Sequence, residues 1–175
     1  MISAIYSVAL ATVQINLPGI KSIAIEEGWK KDNSLSKPYE RAVFYDSKNN
    51  RCDIYNYLDI RYVKSESDKT NNALRKIFSE PLHSLSPREY RNLTGLWHVH
   101  NKLQTVEVNE KKLLCTGEPE KQEGCVKMAQ GGYILTTYVY YMYEQVGDGF
   151  LSIEYGSTTQ NDNEWSRLLR SIIWH

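Results

Sequence analysis

The sequence predicts an α+β fold, a largely antiparallel sheet of about six to eight strands with two short central helices and a C-terminal amphipathic helix packed on one face. Three observations lead there. The run Tyr133 to Met142 (Y-I-L-T-T-Y-V-Y-Y-M) is apolar or aromatic at both parities, so it reads as a strand covered on both sides. Several shorter alternating runs are separated by Pro-Gly, Asn/Asp and Gly turn signals. Near the C-terminus, Trp165, Leu168, Leu169, Ile172 and Ile173 repeat at helical spacing, with Ser166, Arg167, Arg170 and Ser171 opposite.

Taken in chain order, Ile2 to Leu10 is mildly apolar and Ala9-Leu10-Ala11 has the small-x-small look of a signal cleavage site, without a basic leader. Residues 1–11 therefore read either as the remnant of an export signal or as the approach to a strand. From Thr12 to Leu17 the alternation of Val13, Ile15 and Leu17 with polar residues favours a strand. Pro18-Gly19 turns it toward a partner containing Ile23 and Ile25. Gly28 to Glu40 reads as a polar loop in which Trp29 is an anchor. Arg41 to Tyr45 is a short strand, and Cys52 to Val63 a long one.

The parity of the long strand separates Cys52, Ile54, Leu58, Ile60 and Tyr62 from Asp53, Tyr55, Tyr57, Asp59 and Arg61. One face is apolar and predicts core; the other predicts a wet surface of tyrosine and charge. Thr70 caps a predicted helix carrying Leu74, Ile77 and Phe78, ended by Pro81. Ser86-Pro87-Arg88-Glu89 supplies a capping box for a second, which Gly95 stops. Leu96 to Val108 returns to strand, Asn109-Glu110 turns, and Lys111 to Cys115 follows. Gly147-Asp148-Gly149 joins the tyrosine-rich strand to a returning strand from Phe150 to Tyr155.

At 175 residues, without repeats or an internal linker, the chain is expected to form a single domain over 1–175. Its 21 basic and 21 acidic residues are interleaved, so neither a net positive field nor a basic stripe suggests nucleic acid. No apolar run approaches the roughly 18 residues that span a bilayer. Cys115 and Cys125 bracket T-G-E-P-E-K-Q-E-G, which reads as a solvated loop. A disulfide across it would contribute about 2–3 kcal/mol by constraining the unfolded chain. That pairing would favour a periplasmic or secreted protein; two reduced thiols would favour the cytoplasm. Cys52 reads as a small buried hydrophobe.

Few residues suggest chemistry. His98 and His100 share one strand face and are the weak candidates for a metal site. A zinc centre needs three or four ligands, however, and His83 and His175 lack metal-type spacing. Glu26-Glu27, Asp53 and Asp59 read as surface charge. No phosphate-loop or dinucleotide glycine pattern occurs, so no cofactor is implied. Tyrosine is the remaining signal: Tyr55 and Tyr57 share a face with Asp59 and Arg61, and tyrosine with arginine is enriched at energetic hot spots of interfaces.

In size, composition and the closing run E-W-S-R-L-L-R-S-I-I-W after a strand, the chain resembles the small bacterial immunity proteins that neutralise a secreted toxin. The resemblance implies a non-enzymatic module whose partner is a toxin or effector protein. Two other classes remain: a small-ligand carrier with an aromatic pocket between sheet and helix, and a metal-dependent hydrolase using His98 and His100.

Overall fold

The computed structural model describes residues 9–46, 56–64, 103–126 and 133–175. In these segments the strands are β1 (Leu10–Leu17), β2 (Ile20–Glu26), β3 (Trp29–Lys31), β4 (Arg41–Asp46), β5 (Tyr57–Lys64), β6 (Leu103–Val108), β7 (Lys111–Thr116), β8 (Glu120–Val126), β9 (Tyr133–Val146), β10 (Gly149–Ser157) and β11 (Ile173–Trp174). One helix, α1 (Asp162–Arg170), precedes β11. A small sheet has the order β1-β2-β11. The larger runs β3-β4-β5-β10-β9-β7-β6, with β8 also pairing β9. Among the described residues these strands pair antiparallel throughout.

The α+β expectation is therefore corrected. Antiparallel sheet dominates the described residues and they contain one nine-residue helix. The two central helices expected from Thr70 to Pro81 and from Ser86 to Gly95 fall outside the described residues. No helix among those described is long and apolar enough to cross a membrane.

Local turn chemistry accounts for three hairpins. Pro18-Gly19 joins β1 to β2 with Gly19 at φ +85°, the left-handed residue that a type II turn requires. Asn109 and Glu110 both have positive φ, and the two-residue link between β6 and β7 fits a type I′ turn, whose twist matches the strands. Gly147-Asp148 joins β9 to β10, whose pairing continues without a shift from Val146↔Gly149 to Tyr138↔Ser157.

The core lies between one face of the large sheet and a layer made of the small sheet and α1. Ile15, Ile20, Ile23 and Ile25 meet Phe44, Leu58, Ile60, Leu113, Met142, Leu151 and Ile153. Asn161 caps α1 by accepting the Glu164 backbone N–H at 3.1 Å. Asp162 and Glu164 lie in its first turn, and Arg167 and Arg170 in its last, as the macrodipole favours. Trp165, Leu168 and Leu169 are buried, each contributing about 1.5–3 kcal/mol of apolar transfer. The Tyr140 hydroxyl donates to Asp162 Oδ1 at 2.7 Å and accepts the Asn161 N–H at 3.0 Å, fastening the start of the helix to β9.

The helix stops earlier than the apolar spacing predicts. The Ser171 N–H bonds to the Arg167 and Leu168 carbonyls, and its hydroxyl donates to the Leu168 carbonyl at 2.7 Å and accepts the Ala24 N–H at 3.1 Å. Ile172 remains buried, but Ile173 leaves the stripe, is 52% exposed and pairs with Ser22 of β2.

The Cys115–Cys125 disulfide is also corrected. Cys115 carries a free, buried thiol. The presumed loop is short, because β8 begins at Glu120 and runs through Gly124 and Cys125. Rather than closing a hairpin with β7, β8 pairs with β9: Cys125 lies opposite Ile134, whereas Cys115 lies opposite Met142. Those β9 positions are about 26 Å apart at the rise of an extended strand, far beyond the roughly 7 Å Cα separation a disulfide can bridge. The argument for an oxidising compartment that rested on this bond lapses.

Candidate functional site

The second face of the large sheet, opposite the core cluster, gathers the polar residues. Register places Val43, Asp59, Glu154 and Tyr141 in one row across β4, β5, β10 and β9. A neighbouring row contains Tyr45, Tyr57, Gly156 and Val139, and the row on the other side contains Arg41, Arg61, Ser152 and Tyr143. The face is only partly wet. Val43, Asp59, Val139, Tyr141 and Tyr143 are buried, Tyr57 and Glu154 are half-buried, and Arg61 is exposed.

Asp59 is the centre of the arrangement. Arg41 donates to it through Nε at 3.0 Å and Nη2 at 2.7 Å, a bidentate fork. Arg61 adds its Nε at 2.9 Å and a second contact through Nη2. The Asp59 side chain is 5% exposed, whereas that of Arg61 is 46% exposed. Burial opposes ionisation, but the hydrogen bonds and charges of the two guanidinium groups outweigh it and hold the Asp59 carboxyl below the ordinary aspartate range. The bond to Asp59 raises Arg61 in turn, so both remain charged.

Directly opposite Asp59 stands Glu154, and two carboxylates at facing positions repel. The two arginines neutralise one of them. Tyr57 serves the other, donating its hydroxyl to Glu154 Oε1 at 2.6 Å. This reach depends on Gly156, the residue facing Tyr57. A Cβ there would stand 2.5 Å from Tyr57 Cζ and closer still to Cε1, so the ring lies flat over the glycine. Burial, with the Glu154 charge second, drives the Tyr57 phenol well above its usual range. Tyr57 is thus a fixed neutral donor, the reverse of what an activated nucleophile requires.

Of the residues expected on this surface, Tyr57, Asp59 and Arg61 are together; Tyr55 lies outside the described residues. Arg41, Glu154 and Gly156 complete the cluster and were not expected. Their signal lies in strand register: Arg41 faces Arg61 across one ladder, and Glu154 faces Asp59 across another. His98 and His100, the weak metal candidates, lie outside the described residues. Among the described residues no three metal-ligating side chains converge. Burial, with the Glu144 charge second, pushes the Cys115 thiol up to about 12, which makes it unreactive.

No protein-family model matches the chain, and no curated protein is similar to it. A crystal structure from Bacteroides thetaiotaomicron VPI-5482 is similar at 9% identity with a TM-score of 0.45, over 92% of this chain and 49% of that one. The chain therefore spans about half the length of that neighbour.

Proposed function

We propose that this protein is a binding module that engages a protein partner through the β4–β5–β10 face, in the manner of an immunity protein inhibiting a secreted toxin or effector. The observation that carries the reading is the arginine pair fixed on Asp59 beside Tyr57. Arg61 holds its guanidinium in place with donors left toward solvent, so little side-chain freedom is lost on binding. Arginine and tyrosine in such a setting are the residue types that dominate interface energies. Inhibition of a toxin is the finer step and rests on the resemblance in size and in the closing segment from Glu164 to Trp174. Meeting such a partner would place the protein in the periplasm or outside the cell.

A carrier has less support. Trp165 stacks on Tyr140 at 5.5 Å and on Tyr155 at 6.2 Å, and Tyr155 meets Trp29 at 6.5 Å, so rings occupy the space between helix and sheet that a ligand would need. The binding reading is tested by expressing each neighbouring gene product alone and together with this protein. One product should arrest growth alone, be tolerated in the pair, and bind at least tenfold more weakly to Arg61→Ala, in which Arg41 still pairs with Asp59 and whose folding is checked by circular dichroism at the assay temperature. If no neighbouring product is toxic or binds at micromolar concentration, the reading fails.

A further inference from the structure

Exposed large apolar side chains among the described residues are Leu10, Leu35, Tyr39 and Ile173, and two of these four stand on the link between β3 and β4. Tyr39 is 71% exposed and has φ +61°, a left-handed conformation that a bulky residue adopts only under constraint. The constraint is visible. Asp32 Oδ1 accepts the Ser34 N–H at 2.8 Å, the Ser34 hydroxyl at 2.6 Å and the Leu35 N–H at 3.1 Å. Ser36 Oγ accepts the Val43 N–H at 3.1 Å, and Lys37 and Arg41 exchange both backbone bonds at 2.8 and 3.0 Å. The Glu40 carbonyl accepts the Tyr62 N–H at 2.8 Å, tying the end of the loop to β5 beside Arg61. An exposed aromatic is thus held in a left-handed backbone conformation by a loop hydrogen-bonded on both sides of it, an arrangement that does not serve the core.

We infer that residues 32–40 form a pre-built recognition loop whose Tyr39 and Leu35 enter an apolar pocket rimmed by carboxylates on a protein partner. This rests on the reading of the protein as a binding module and adds the contact element and the partner's chemistry. The acidic rim follows from charge. Lys30, Lys31 and Lys37 are exposed around the loop, and Arg41 and Arg61 share the single carboxylate of Asp59. Against them stand Glu40, Asp32, whose Oδ1 is turned onto Ser34 and Leu35, and Glu154 opposite Asp59, which with Asp59 itself leaves the cations ahead by one. The chain as a whole is charge-balanced, so this excess is local. A rigid aromatic tip loses little freedom on binding, and surrounding cations steer an acidic partner.

The test selects a phage-displayed random peptide library on the intact protein and measures enriched peptides by fluorescence anisotropy. Enriched sequences should pair acidic with large apolar residues and weaken with added salt. Tyr39→Gly should reduce their affinity at least tenfold. The same variant should melt about 2–4 °C higher, because glycine accepts the positive φ without strain. Leu35→Ser should also weaken binding. Neutral or basic enriched peptides would overturn the assigned chemistry, and a lower melting temperature for Tyr39→Gly would make the tyrosine a folding residue. Peptides that bind Tyr39→Gly like the parent but lose affinity to Arg61→Ala would remove the loop and leave the sheet-face reading standing. If no peptide is enriched, the loop proposal fails, while the binding reading is decided by co-expression with the neighbouring gene products.

Discussion

Replacing Asp59 by Asn isolates the charge at the centre of the sheet face while keeping its shape. The aspartate is buried, and its two partners are not equally so: the Arg41 side chain is 28% exposed and that of Arg61 46%. Removing one member of a fully buried pair costs about 3–5 kcal/mol, because the remaining charge loses both water and counter-ion. An exposed pair is worth only about 0–1 kcal/mol. Here each guanidinium can recover part of its hydration, and the amide still offers one acceptor oxygen. Loss of the Asp59 charge also relieves its repulsion with Glu154 across the ladder. The expected loss is therefore about 1.5–3 kcal/mol at neutral pH.

The pH dependence separates charge from packing. Asp59 is held below the ordinary aspartate value of about 3.9, so below that pH the unfolded chain takes up its proton more readily than the native one. Its stabilisation is complete above about pH 5 and is lost as pH falls through the depressed native value. Urea unfolding followed by tryptophan fluorescence at about pH 7 and pH 3 should show a gap between parent and Asp59→Asn that narrows in acid, with an unchanged denaturant slope. A gap of the same size at both pH values would refute the electrostatic account. Equal stability at neutral pH would show that the arginine fork contributes nothing.

Two further outcomes are expected. Gly156→Ala should push the Tyr57 ring off β10 and break its bond to Glu154, destabilising the fold by about 1–3 kcal/mol in the same urea assay; parent-like stability would mean that the ring does not lie over the glycine. Leu169→Ala should cost about 2–5 kcal/mol as a core truncation, and a variant that melts with the parent would place α1 outside the core.

By itself the sequence determined the features that neighbouring residues decide. Pro18-Gly19, Asn109-Glu110 and Gly147-Asp148 specify turns through their own backbone preferences, and all three hairpins form there. The spacing of Trp165, Leu168 and Leu169 specifies a helix face, and those three side chains are buried. Alternation in the strand carrying Tyr57, Asp59 and Arg61 correctly separates them from Leu58 and Ile60, which enter the core.

The tertiary structure alone decided which strands meet beyond those hairpins. Side-chain parity describes the faces of a strand and not its edges, so the sequence of β9 cannot specify that β7 and β8 both pair with it at different heights instead of with each other, the choice that separates Cys115 from Cys125. The wetness of the Asp59 face was settled by Arg41, and the bond from Tyr57 to Glu154 spans 97 residues. The helix ended at Ser171 because its hydroxyl found the backbone of β2, a partner 147 residues away that outweighed two more apolar residues at helical spacing. Turns and helix faces are fixed by torsions and side chains within a few residues, whereas strand pairing and charge burial are fixed by free energies gained only after distant segments are packed.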